Sequence, residues 1–220
     1  MKKIVIADDQ IISRKGFELC CKQVNPLAIT LPCHNMEYLY TLLKNESDIS
    51  LLIMNIFIEN TNTLHHIQTL KQLCPGISVL IAGFGKDAVF GVRAIREGAD
   101  GYLNKKANDP DILDAIRKTL NNERYFSTEI VSSYTEMFNA VSGVSNPFDK
   151  LSEREFSVML YMINDLETNE IANLMSLQST TISTYKSRIY EKLNLQRLNE
   201  LKLMAELYGI ENWFKNGFNT

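Results

Sequence analysis

Two adjacent acids, Asp8 and Asp9, follow the apolar run Lys3-Ile4-Val5-Ile6-Ala7. Asn55 ends a second run, Ser50-Leu51-Leu52-Ile53-Met54, Gly83 follows another over 77–82, and Lys105 closes Gly101-Tyr102-Leu103-Asn104. Paired carboxylates, a lysine and a third strand-end oxygen describe a pocket that accepts a phosphoryl group around Mg²⁺. Such transfer needs an anionic oxygen in line with phosphorus and a metal to neutralise the transferring oxygens. Position 55 holds a neutral amide instead, a far weaker nucleophile. The amide also removes one of three negative charges around the metal. The expected pocket therefore takes no phosphate. It requires no cofactor and holds Mg²⁺ only weakly, through Asp8 and Asp9. Lys105 is expected to pair with Asp8 or Asp9 directly.

The elements that carry these residues alternate. Strand-like runs fall at 3–7, 27–31, 50–55, 77–82 and 101–104, and amphipathic stretches at 11–24, 36–45, 62–74, 85–98 and 109–122. Strand and helix in alternation predict a doubly wound five-stranded parallel sheet over 1–123. Ligands of such sheets bind at the carboxyl ends of the strands. Asp8, Asp9, Asn55, Gly83 and Lys105 all fall there, so five scattered positions converge on one rim.

Small and turn-forming residues, including Val141-Ser142-Gly143-Val144-Ser145, mark 124–148 as a linker with one short helix at 127–140. From 149 to 220 the chain reads as a small all-helical domain. Ser152-Glu153-Arg154-Glu155 is a capping box that opens a first helix. Helices follow at 168–175, 180–193 and 198–208, with the tight turn Ser176-Leu177-Gln178-Ser179 before the third, which suggests a helix-turn-helix.

In the third helix Ile182, Ile189 and Leu193 form the inward stripe, with Tyr185 near it. Ser183, Thr184, Ser187 and Arg188 lie opposite, flanked by Lys186 and Lys192. Residues 176–202 carry five cations against two acids, inside a protein of net charge −3. Short hydroxyls can approach base edges and the cations suit phosphates. A solvated polar face is the bland reading of the same pattern. No cation occupies the central outward positions, so base discrimination per site is modest and a dimer would double it.

Composition is that of an ordinary globular protein, 45% hydrophobic and 22% charged. The net charge argues against a uniformly basic nucleic-acid binder, but leaves room for a local patch. No run is long enough for a membrane span, and the acids at 8 and 9 interrupt a signal-peptide core. Cys20, Cys21, Cys33 and Cys74 fit neither a disulfide framework nor zinc, consistent with a reducing cytoplasm. His34, His65 and His66 lack ligand spacing and read as surface or loop residues.

Residues 151–195 resemble the LuxR-type helix-turn-helix. The matching residues are Leu-Ser-Glu-Arg-Glu at 151–155, Asn-Glu-Ile-Ala at 169–172, Thr181-Ile182-Ser183 and Lys192-Leu193. Residues 1–123 resemble a receiver (a flavodoxin-like fold) through Ala-Asp-Asp at 7–9 and Gly-Ala-Asp-Gly-Tyr-Leu-Asn-Lys at 98–105. Together the two halves are similar to NarL/FixJ-type response regulators. The resemblance implies that Asp8 and Asp9 are the metal-binding acids and Lys105 the phosphate-contacting lysine. Tyr102 is then the aromatic that changes rotamer on activation, and Asn55 stands at the phosphoacceptor position. Gly83 replaces the family's Ser or Thr, and Asp165 replaces a common glycine. The base-contacting positions are implied to be Ser183, Thr184 and Ser187, with Thr181, Lys186, Arg188 and Lys192 toward phosphates.

The expected function is a transcription regulator that binds double-stranded DNA, acts as a homodimer, offers a surface to a protein partner at the receiver, and works without aspartyl phosphorylation. Two alternatives stay open. One is a phosphorylated regulator using another acceptor, with Glu59 as the neighbouring carboxylate. The other is a protein–protein adaptor that reads no DNA. Nothing in the sequence pairs a nucleophile with a base, so an enzyme is not expected.

Overall fold

The computed structural model describes residues 1–59, 61–138 and 146–210. The turn-forming stretch at 141–145, Asn60, and residues 211–220 lie outside the described residues. The chain divides into two compact units, Met1–Tyr134 and Thr135–Thr220.

In the first unit, five parallel strands form one sheet: β1 (Lys3–Ala7), β2 (Ile29–Cys33), β3 (Ile49–Asn55), β6 (Ser78–Gly83) and β7 (Gly101–Asn104). Their order is β2-β1-β3-β6-β7. Helices α1 (Ile11–Val24), α2 (Met36–Asn45), α3 (Ile67–Leu73), α4 (Asp87–Arg96) and α5 (Asp109–Leu120) connect or close them. The doubly wound parallel sheet expected from the alternating pattern is therefore present. The β2 run sits two residues later than expected, since Ile29 rather than Leu27 opens the pairing with Lys3. Leu27 is left exposed.

Alternation along the central strands decides which face each residue serves. Ile4, Ile6, Leu51, Ile53, Leu80, Ala82 and Leu103 pack with Phe17 and Cys21 of α1 and with Ala115, Ile116 and Leu120 of α5. Burying each large side chain of this kind contributes about 1.5–3 kcal/mol. Asn108 caps α5 by accepting from the Asp111 amide at 3.0 Å, with Pro110 in the first turn. That cap starts α5 just beyond Lys105.

One element is new. The segment after β3, which the sequence left as loop and helix start, forms a small antiparallel hairpin of β4 (Phe57–Ile58) and β5 (Thr61–Asn62). A 3-10 turn, Leu64–His66, then leads into α3, so the regular helix begins later than residue 62. Ile58, Asn62 and Thr63 are buried, which anchors the hairpin on the sheet rather than leaving it free.

Helix α6 (Thr128–Phe138) spans the division between the units. Tyr125 before it bridges to Gly101 at the sheet edge, with Tyr102 N donating to Tyr125 O at 2.9 Å. Ile130 packs onto Gly91 of α4 so closely that a Cβ there would lie 2.4 Å from the Ile130 side chain. A larger residue at 91 would force the Ile130 side chain to shift.

In the second unit a 3-10 turn, Pro147–Lys150, precedes α7 (Glu153–Ile163), α8 (Thr168–Leu174), α9 (Ser179–Leu193) and α10 (Leu198–Leu207). The capping box is formed: Ser152 Oγ accepts from the Glu155 amide at 3.3 Å, and Glu155 Oε2 accepts from the Ser152 amide at 2.8 Å. The turn between α8 and α9 runs through Ser176 in the left-handed region, φ 53°. Asp165, at the position where the resemblance implies glycine, has φ 63°. An aspartate tolerates that region better than most side chains, so the turn keeps its path.

Candidate functional site

The rim formed by the carboxyl ends of β1, β3, β6 and β7 holds the predicted pocket residues. Asp8, just past β1, is 1% exposed. Its Oδ2 accepts from Lys105 Nζ at 2.5 Å and from Ser13 Oγ at 2.6 Å, and its Oδ1 from the Gln10 amide at 2.9 Å. Arg14 of α1 also donates to the Asp8 carbonyl, at 2.6 Å. The backbone of Lys105 is fixed by its amide, which donates to Gly83 O at 2.7 Å. Its ammonium lies 5.4 Å from the centre of the Phe84 ring. The lysine is thus held as a buried ion pair, with side-chain exposures of 7% for Lys105 and 2% for Asp8.

Asp9 is spent differently. Its Oδ2 accepts from the backbone amide of Glu59 at 3.0 Å, at the tip of the hairpin, where Glu59 takes φ 47°. Asn55 turns onto its own loop: Nδ2 donates to Phe57 O at 2.6 Å. Thr63 Oγ1 reaches the Asn55 and Ile56 carbonyls, at 2.8 and 3.2 Å. The amide, the threonine and the aspartate together hold the hairpin in place.

These contacts test the pocket for Mg²⁺. One oxygen of Asp8 is taken by a lysine and a hydroxyl, one oxygen of Asp9 by a backbone amide, and the third position is a neutral amide. Among the described residues no three His, Cys, Asp or Glu side chains gather as metal ligands. The arrangement leaves a hard divalent cation few unengaged anionic oxygens.

Tyr102 is buried at 1% exposure, with its hydroxyl donating to Gly85 O at 3.4 Å. Burial, reinforced by nearby Asp87, pushes its phenol well above the ordinary range, despite the opposing bond to Gly85. Asn104 ties the same loop down by donating to Gly85 O at 3.0 Å and Asp87 Oδ1 at 2.8 Å.

In the second unit Ile182, Ile189 and Leu193 are buried, and Ser183, Thr184, Ser187 and Arg188 are exposed, as the helical period requires. Lys186 Nζ donates to Thr168 Oγ1 at 3.1 Å, which ties α9 to the start of α8. Lys192 Nζ sits 2.6 Å from Glu155 Oε2 and so braces α9 against α7. Arg188 has no ionic partner among the described residues, and with Thr180, Thr181, Thr184 and Tyr185 it lines a shallow depression on the outer surface.

The family model of the response regulator receiver domain matches residues 4–117. The chain belongs to the response regulators. The model of bacterial regulatory proteins of the luxR family matches residues 149–205. This response regulator is 28% identical over 205 residues to the Fimbriae Z protein of Escherichia coli K12, covering 93% of the chain and 96% of that protein. It is 27% identical over 210 residues to the response regulator GacA of Pseudomonas aeruginosa, covering 96% and 98%. Among solved structures it is similar to RcsB of Salmonella enterica serovar Typhimurium bound to promoter rprA in the presence of phosphomimetic BeF3−. The TM-score there is 0.70 at 18% identity, covering 93% of this chain and 98% of that one. The NarL/FixJ-type organisation of this regulator, a receiver followed by a LuxR-type helix-turn-helix, is therefore established.

Three features of the site had no sequence signal strong enough to find them. Ser13 and Arg14 lie in the first turn of α1, where a helix start following an acid is common. The hairpin is hidden because β4 and β5 are two residues each. The partner of Lys192 is the capping-box glutamate, which local spacing had already assigned to Ser152.

Proposed function

We propose that this protein is a dimeric cytoplasmic transcription regulator that binds double-stranded DNA through α9 and adopts its binding-competent form without aspartyl phosphorylation. One observation carries the second half of the reading. The lysine implied to contact a phosphate is bonded to Asp8, while the amide at the acceptor position is bonded to Phe57 O. The groups that would receive and hold a phosphate are thus satisfied by one another and by backbone.

DNA binding is supported by the exposed hydroxyl face of α9 and by Arg188 and Lys186 beside it. The RcsB relative is described with promoter DNA. A dimer is supported by two apolar stripes. Ile12 and Leu19 are exposed on α1, on either side of Gly16, around which a Cβ would meet open space, and Leu203 and Leu207 are exposed on α10. Each stripe suits an isologous contact with a second copy.

Footprinting of unmodified protein on its upstream DNA tests the proposal. Specific protection without any phosphodonor is the expected result. Arg188→Ala and Lys186→Ala should each weaken binding to all sequences and reduce the salt slope by about 1. Protection only after a donor is added would overturn the phosphate-free reading, and no protection under either condition would overturn DNA binding itself.

A further inference from the structure

The base-facing hydroxyls of α9 have already committed their protons. Ser183 Oγ donates to Ser179 O at 3.0 Å, Thr184 Oγ1 to Thr180 O at 3.0 Å, and Ser187 Oγ to Ser183 O at 3.1 Å. Each is the bond of a helical Ser or Thr to the carbonyl four residues back. Toward a DNA groove these side chains therefore present lone pairs and, at Thr184, a methyl group. Glu191, exposed four residues beyond Ser187, is a further acceptor on the same row.

The major-groove code makes that commitment selective. Guanine shows only acceptors, N7 and O6, and is read by bidentate Arg or Lys. An acceptor-only row offers guanine nothing. Thymine carries a C5-methyl group, and Thr is among the side chains that read it by apolar contact. Once Thr184 Oγ1 is turned back to Thr180, the γ-methyl is the part of the side chain left without a polar engagement. Thr184 lines a surface depression with Thr180, Thr181 and Tyr185, and Arg188 stands at the same depression. Three threonines and a tyrosine make a concavity that suits a methyl group, with a cation beside it for the adjoining phosphate.

We infer that α9 reads its operator through thymine, seating the C5-methyl in the Thr180–Thr181–Thr184–Tyr185 depression, and makes no guanine contact from Ser183, Thr184 or Ser187. This rests on the proposal that α9 enters DNA, and it adds the class of sequence read.

The test uses the full-length protein and a half-site recovered by selection from a randomised duplex library. Thymines are replaced one at a time by uracil, which removes only the methyl group. At one position or more, uracil should weaken binding about four-fold, the worth of a buried methyl. The discrimination should vanish in Thr184→Ser, which keeps the hydroxyl and loses the methyl, and persist in Thr184→Val, which keeps the methyl. Replacing guanines by 7-deazaguanine should leave affinity under the three side chains unchanged. Equal binding of uracil and thymine DNA at every position, or discrimination that survives Thr184→Ser, overturns the inference while the regulator reading stands. If the library yields no bound sequence, the DNA-binding proposal has failed and this inference falls with it.

Discussion

At position 55 an amide differs from a carboxylate by a charge and by the ability to donate. Here the donation is used, since Nδ2 closes the turn onto Phe57 O. Asn55→Asp would set two acceptors against each other in a partly buried loop. We expect it to destabilise the first unit by about 1–2 kcal/mol, read as a lower urea midpoint with unchanged slope. The Asp8–Lys105 pair makes a sharper case. Lys105→Ala leaves a buried carboxylate with only a hydroxyl and an amide for company, and should cost about 3 kcal/mol. Removing both charges, as Asp8→Asn with Lys105→Met, should cost less than Lys105→Ala alone, because no charge is then stranded. A double-mutant cycle in urea measures this. The identities of the rim residues were legible in the sequence because each follows an apolar run. Their partners were not: Lys105 pairs with Asp8, while Asp9 accepts from the Glu59 amide, a contact across fifty residues.

At the scale of elements, α7 and α9 are joined by Glu155 and Lys192. Burial alone would raise the Glu155 carboxyl, but its bonds from Lys192 and from the Ser152 amide and hydroxyl outweigh that and bring it below the usual 4.5. A folded-state pKa below the unfolded one adds stability above the unfolded value. That contribution disappears as pH falls from about 4.5 through the lower folded-state value. The second unit should therefore melt at a lower temperature as the pH drops through that window, and Glu155→Gln should flatten the dependence. Calorimetry at a series of pH values reads both. Asp165 offers a backbone counterpart. Its left-handed φ of 63° predicts that Asp165→Ala costs about 1 kcal/mol, whereas Asp165→Gly is tolerated. Helix periods and caps were strong enough to place α7 through α10 from sequence. The hairpin of β4 and β5 was not legible, because two residues per strand carry no period and the side-chain bonds that hold it come from Asn55, Thr63 and Asp9 outside it.

For the whole molecule, the proposed dimer has two candidate surfaces, the exposed stripes on α1 and on α10. Ile12→Glu and Leu207→Glu separate these: whichever stripe forms the dimer, its charged variant should give a monomeric mass by light scattering. The central claim is that DNA affinity does not wait on a phosphate. It is tested most directly by one binding isotherm on operator DNA, measured with and without acetyl phosphate and Mg²⁺, with intact mass recorded on the same samples. One unmodified mass and dissociation constants that agree within experimental error are expected. A covalently added phosphate accompanied by tighter binding would contradict that claim.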